Sequence, residues 1–335
     1  MKNIIYLLLA TFVLGVTSCI KPFDPEFDEN PVIFLEGYPG ADKGFVMFKV
    51  MPAYSKSNKE VIVPFKPDIT FSVNEDVILA ECVDKEEGYY RAECDLHPGD
   101  KVRISVFSDG FTSAHAETVI PDAFPERKID YIIERVGSDS CNVVHVTIGE
   151  KTDAYAYGLQ ICSESIYDMP DDHYEETFRY AGALYPTDFE YAEMSPMNLD
   201  AVDIEINGDY LWAWEGGMLD KGANTFSIQP YAYGTSSYDD FFVNEGDRVM
   251  YDEEGNPTMT YHYISKHKLV LYTMSEEFYK YRVASEYQKD YSTFTGFIAP
   301  SNYCYSNVEN GFGAFAAVNV VETDWITKEF IENNR

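Results

Sequence analysis

Apolar and polar residues alternate along most of this chain, and the period is two far more often than 3.6. Between residues 31 and 121 the apolar stretches are short and regularly interrupted. Val32–Leu35 ends at Gly37-Tyr38-Pro39-Gly40, and Phe45–Val50 follows. Ile69–Val73 alternates, Val77–Ala80 comes next, and Tyr89–Ala92 returns from a polar turn at 84–88. His97-Pro98-Gly99-Asp100 is a second turn leading into Val102–Val106, and a last strand near Ala114–Val119 stops at Pro121. About seven short strands with regularly placed turns predict an Ig-like or prealbumin-like sandwich over residues 31–121.

Pro121, Pro125 and the charged Glu126-Arg127-Lys128 mark a boundary, and residues 122–335 read as a larger β domain. Strands are predicted at 129–136, 142–148, 154–162, 201–206, 210–214 and 225–233. A hairpin follows about the turn Asp252–Pro257, and another strand spans 268–272. Residues 163–200 are acidic, tyrosine-rich and broken by three prolines, which predicts loops with at most a short strand. One stretch changes period. Met274, Phe278 and Tyr281 form an apolar stripe, and Thr273 and Glu276 have capping-box spacing, so a helix packed on the sheet is predicted over 274–288. Further on, Gly311-Phe312-Gly313 predicts a tight bend before a buried strand at 316–321. The fold class is therefore all-β, with one packed helix in the second domain.

The first nineteen residues follow neither pattern. Lys2 precedes an apolar run from Ile4 to Val16, too short to span a bilayer and of the length of a signal-peptide core. The ending Val16-Thr17-Ser18-Cys19 resembles the lipobox of bacterial lipoproteins. Small side chains would admit the peptidase, and the Cys19 thiol would accept the diacylglyceryl group. The alternative is an ordinary signal peptide with an incidental cysteine. On the lipobox reading, 1–18 is removed, 19–30 is an acidic tether, and the protein is anchored in the outer membrane, facing the periplasm or the cell surface.

Charge narrows the classes of partner. Asp and Glu total 57 against 25 Lys and Arg, a net charge of −32, which repels the phosphates of nucleic acids. Aromatic residues make up 16% of the chain, too many for a disordered acidic polymer. Besides Cys19 there are Cys82, Cys94, Cys141, Cys162 and Cys304, with no C-x-x-C among them. The turn between Cys141 and Cys162 centres near Lys151 and Thr152. Counting outward along both strands brings the two cysteines opposite each other, which predicts a disulfide.

Candidate chemistry is sparse. His262 and His267 are separated by an odd interval, which puts them on opposite faces of a strand rather than on one metal. No HExxH, GxSxG or P-loop motif is present, so no catalytic residue, cofactor or resident metal is assigned. The acidic turns Asp168–His173 and Asp252–Asn256 offer oxygens of the kind Ca2+ takes, without EF-hand spacing, and solvated turns account for them equally. The sharpest ligand candidate is Tyr210-Leu211-Trp212-Ala213-Trp214. In a strand Tyr210, Trp212 and Trp214 share one face, either as a stacking platform for a ligand or as a core face. Tyr231 and Tyr233, in the loop-rich stretch 163–245, join them as candidate contacts.

Several of these features occur in one order: the lipobox, a Gly37-Tyr38-Pro39 close after the tether, the "PGDKVRISV" turn, the helix "SEEFYKYRVASEYQK", and "SNVENGFGAFAAVNV". That order resembles the domain of unknown function 4249 family of Bacteroidota lipoproteins, with Asn307-x-Glu309-Asn310-Gly311-x-Gly313-x-Phe315 as its specific part. That family has no assigned activity, so no catalytic residue is carried over from it, and with no catalytic motif present the chain is expected not to be an enzyme. The resemblance implies a membrane-tethered lipoprotein that binds a ligand or partner as an accessory to a TonB-dependent outer-membrane transporter. A structural or adhesive surface protein is the alternative class, because such proteins share the lipobox and the sandwiches.

Overall fold

The computed structural model describes residues 31–335 apart from 42, 55–62, 126, 137–138, 150–151, 181–182, 187–201, 207–208, 218–224, 230–242, 296–304 and 334–335. The chain is all-β, with two helices among the described residues, and its strands build two sandwiches.

The first sandwich begins with β1 (Val32–Gly37), β2 (Phe45–Ala53), β3 (Asp68–Val73) and β4 (Asp76–Ile78). It continues with β5 (Ala80–Asp84), β6 (Tyr89–Glu93), β7 (Lys101–Phe107) and β8 (Ala114–Val119). Period-two alternation points Ile33, Leu35, Val46, Phe48 and Val50 inward from one sheet, and Phe71, Val102, Ile104 and Val106 inward from the other. Phe48 and Phe71 stack across the gap with ring centroids 5.7 Å apart.

The second unit contains β9 (Arg127–Val136), β10 (Asp139–Ile148), β11 (Ala156–Met169), β12 (Asp172–Tyr180) and β13 (Ala183–Pro186). After these come β14 (Val202–Ile206), β15 (Asp209–Glu215), β16 (Thr225–Gln229), β17 (Asn244–Tyr251) and β18 (Pro257–Met274). The chain then forms α1 (Glu276–Thr295), β19 (Gly311–Phe315), β20 (Val318–Glu322) and α2 (Lys328–Asn333). One sheet has the order β13-β16-β10-β9. The other runs β14-β15-β11-β18-β17, with β12 also on β11 and β20 also on β18. Because this larger sheet is covered on both faces, its central strands carry apolar residues at nearly every position. Tyr157, Leu159, Ile161, Leu269 and Leu271 face the smaller sheet, whereas Ala156, Val270, Tyr272 and Met274 face Phe278 and Tyr279 of α1.

Three expectations change here. First, residues 163–169 and 172–180 are long paired strands instead of loops. Alternating small and apolar positions in Ser163–Met169 match those of β18 over thirteen registered pairs beginning at Ala156, and pairing overrides the strand-poor look of the acidic residues. Second, the helix starts at Glu276 with Ser275 as its cap, Phe278 N–H donating to Ser275 Oγ at 3.3 Å. Thr273 stays in β18 and donates to the Asp122 carbonyl at 2.6 Å. Third, residues 311–315 do not belong with the second unit. They form β19, a parallel strand beside β1, and complete the first sandwich. A division at residue 121 therefore misses a strand that returns from the far end of the chain.

This return makes the seam between the two units. Ala316 N–H donates to Gly37 O and Val318 N–H to Pro39 O, both at 3.0 Å. Asn319, 5% exposed, accepts from Ala41 N–H at 2.6 Å and donates to the Pro121 carbonyl at 2.5 Å. Tyr38 packs edge-on against Phe278 of α1, with ring centroids 5.4 Å apart.

Candidate functional site

The aromatic row on β15 is placed by its neighbours. β15 pairs with β14 on one side and β11 on the other, so it is an interior strand. Trp214 is 1% exposed and lies 6.4 Å from the Tyr157 ring, in the core between the two sheets. Trp212 is half-buried against the same core, and Leu211 and Ala213 fill the opposite face. Only Tyr210 opens to solvent. The row is thus largely a core face, because the strand is sandwiched on both sides. Tyr231 and Tyr233 lie outside the described residues, as does Cys19.

The expected Cys141–Cys162 pairing is also corrected. The strand bearing Cys141, β10, pairs with β9 and β16. The strand bearing Cys162, β11, pairs with β12, β15 and β18 in the other sheet. The two strands leave residues 149–155 into different layers instead of folding back as a hairpin, so the guessed register never forms. Cys162 is a buried free thiol, and burial pushes its pKa up. Cys82 and Cys94 are free as well, and Cys94 is pushed up to about 11, chiefly by burial.

The loop expected at 163–180 is instead one half of a four-stranded ribbon, β12-β11-β18-β17, whose other half is the hairpin expected about Asp252–Pro257. Residues near its tip, 170–175 and 251–258, are exposed. One face carries a tyrosine ladder. Tyr174, Tyr167 and Tyr263 are register partners, and Tyr167 lies 5.8 Å from Tyr174, 5.1 Å from Tyr263 and 6.1 Å from Tyr261, centroid to centroid. The Arg248 guanidinium sits 4.2 Å from the centre of the Tyr263 ring. Toward the body the ladder becomes buried and polar: Ser165 Oγ is 3.3 Å from Tyr263 Oη, and Ser163 Oγ is 2.6 Å from His267 Nδ1. Rings held in register, graded from buried to 48% exposed at Tyr174, are suited to stacking on a flat ligand or an extended partner.

The other face of the ribbon is charged. Lys266 pairs with Glu164, and Lys268 and Arg179 converge on Glu322. Both lysines also sit 4.6 Å from the Trp325 ring centre. Lys268 and Arg179 hold the Glu322 carboxyl below the usual glutamate range. Near the tip His262 bonds Asp247 at 3.1 Å. His173 bonds Glu175 at 2.9 Å and lies 3.6 Å from Asp168, and these carboxylates, Glu175 foremost, raise its pKa. His262 and His267 occupy opposite faces, as their odd spacing requires.

The acidic turns do not gather into a cation cage. Among the described residues no three His, Cys, Asp or Glu side chains converge as metal ligands. Asp252 is committed to its own turn, accepting from Asn256 N–H at 2.7 Å. A crevice of about 460 Å3 at the seam is lined by Glu117, Asp122, Asp153, Tyr155, Glu276 and Glu277 among others. Its negative lining suits a cationic group.

Tyr167 and Tyr174 lie in an acidic, proline-broken stretch that reads as loop, although Ser163-x-Ser165-x-Tyr167 keeps period two. Tyr261 and Tyr263 fall in the second strand of the expected hairpin, and only the pairing of the two stretches is not visible in the sequence. The family model described as domain of unknown function (DUF4249) matches residues 20–324 of the chain. No curated protein matches the chain.

Proposed function

The chain belongs to the domain of unknown function 4249 family, and from that premise we propose that it is an outer-membrane lipoprotein that binds a partner as a non-enzymatic accessory to a TonB-dependent transporter. The observation that carries this reading is the apolar run ending at Thr17-Ser18-Cys19. A lipid on Cys19 would hold the protein at the membrane and raise its effective concentration toward integral partners. Two further observations support it. The family match begins at residue 20, directly after that cysteine. The ribbon offers exposed, registered aromatic rings on a rigid sheet, the kind of surface on which recognition is built. On this reading a lipid on Cys19 supplies the attachment; no helix among the described residues is long and apolar enough to cross a membrane.

Metabolic labelling tests the anchor. Cells fed labelled palmitate should label this protein, and Cys19→Ala should abolish the label and release the chain from membranes. Equal labelling of the variant would refute the anchor. A structural or adhesive surface protein is the second reading, favoured by the exposed, apolar sheet edge at Asp76–Asp84, which could take a strand donated by another protein.

A further inference from the structure

At one side of the first sandwich the chain runs continuously along the edge of both sheets, as β4 and then β5, from Asp76 to Asp84. Among the described residues β4 pairs only with β3, and β5 only with β6. Such an edge leaves alternate backbone N–H and C=O groups without partners in the sheet, and their natural complement is another extended chain. Proteins commonly blunt an edge of this kind with lysine, proline or a bulge. No lysine or proline occurs from 76 to 84, and the bulge comes only at its far end, between Cys82 and Asp84. The large apolar side chains instead face solvent: Val77 is 72% exposed, Leu79 75% and Val83 58%. The core is not short of places for such residues, since Ile78 and Ala80 from the same run pack against it.

The charge around this edge selects the occupant. Glu75, Asp76, Glu81 and Asp84 are all exposed along it. A second copy pairing edge to edge would bring these carboxylates against their equivalents, on molecules that each carry a net charge of −32. A segment with alternating apolar and basic side chains would cover Val77 and Leu79, complete the backbone ladder and neutralise the acids. We propose that the Asp76–Asp84 edge is a docking site for an extended, basic segment of a partner protein, taken up as an added β-strand. This belongs to the sandwich itself and stands whether or not Cys19 carries lipid.

The test uses the full chain in mild detergent and three synthetic peptides: alternating valine and lysine, alternating valine and glutamate, and the valine–lysine peptide interrupted by prolines. The valine–lysine peptide should bind and slow hydrogen exchange at the amides of 76–84. The prolines should abolish binding, because they remove ladder donors. The glutamate peptide should bind at least about tenfold more weakly. The double variant V77K/L79K should weaken binding by a similar factor. V77T/L79T, which keeps strand-forming residues and the native charge, should weaken it several-fold while leaving the thermal unfolding curve in place. Failure of the valine–lysine peptide to bind, equal binding by the proline peptide or by either edge variant, or protection elsewhere would overturn the proposal. So would a dimer of the unmodified chain that V77K/L79K converts to monomer, because the occupant would then be a second copy.

Discussion

Single residues of the Asn307–Phe315 run shape the fold through backbone geometry and hydrogen bonds. Asn307 clamps the end of β19 by donating to the Phe315 carbonyl at 2.7 Å and accepting from Phe315 N–H at 2.9 Å. Asn310 is left-handed at φ 57°, and Gly313 has φ 112°. A Cβ at Gly313 would overlap the Leu35 carbonyl of the neighbouring strand. Gly313→Ala should therefore cost at least about 2 kcal/mol, from backbone strain plus the forced separation of β19 from β1. Gly99→Ala has a comparable positive φ but no neighbours within 4 Å, and should cost about 1 kcal/mol. Denaturant unfolding of the two variants compares them directly, and equal midpoints would show that the close approach at Gly313 is unimportant. Charge pairs on the ribbon predict opposite pH effects. The raised pKa of His173 means its bonds to Glu175 and Asp168 support the fold below the ordinary histidine value and fade as pH rises through the raised one. The depressed pKa of Glu322 means its pairing contributes above the ordinary glutamate value and is lost as pH falls through the depressed one. NMR titration should place the His173 midpoint above that of an unstructured histidine, and His173→Gln should flatten the alkaline part of this dependence.

At the scale of elements, β15 is a core strand where a ligand platform was one expectation, and residues 163–180 are paired strands where loops were expected. Trp214→Ala should destabilise the protein by about 3–5 kcal/mol, the cost of emptying a large core site. Tyr174→Ala and Tyr251→Ala, at exposed positions, should change stability by no more than about 0.5 kcal/mol. If those tyrosines contact a partner, their variants lose binding with the fold intact, whereas a folded Trp214→Ala variant that lost only binding would return β15 to the status of a site. The strands of the first sandwich were legible because one face is buried and the other wet, which writes period two into residues such as Val102-Arg103-Ile104-Ser105-Val106. The helix was legible from its change of period, although its cap moved from Thr273 to Ser275 because Thr273 is held by β11. Long-range pairing was not legible. Nothing local tells that Gly311–Phe315 lies beside Ile33–Gly37, or that the strands of Cys141 and Cys162 enter different sheets. Tertiary partners decide both.

At the scale of the whole molecule, the seam ties function to fold. Residues 316–319 hydrogen-bond to both units, and Tyr38 reaches from the first sandwich to α1, so the units are braced against each other. On the accessory reading this brace would hold the ribbon and the open edge in one fixed relation on a body tethered through Cys19. The most direct measurement of that reading is purification of a tagged copy in mild detergent. A β-barrel transporter should be recovered with it in near-stoichiometric amount. Recovery of this chain alone, under conditions that keep known transporter complexes intact, would contradict the accessory reading.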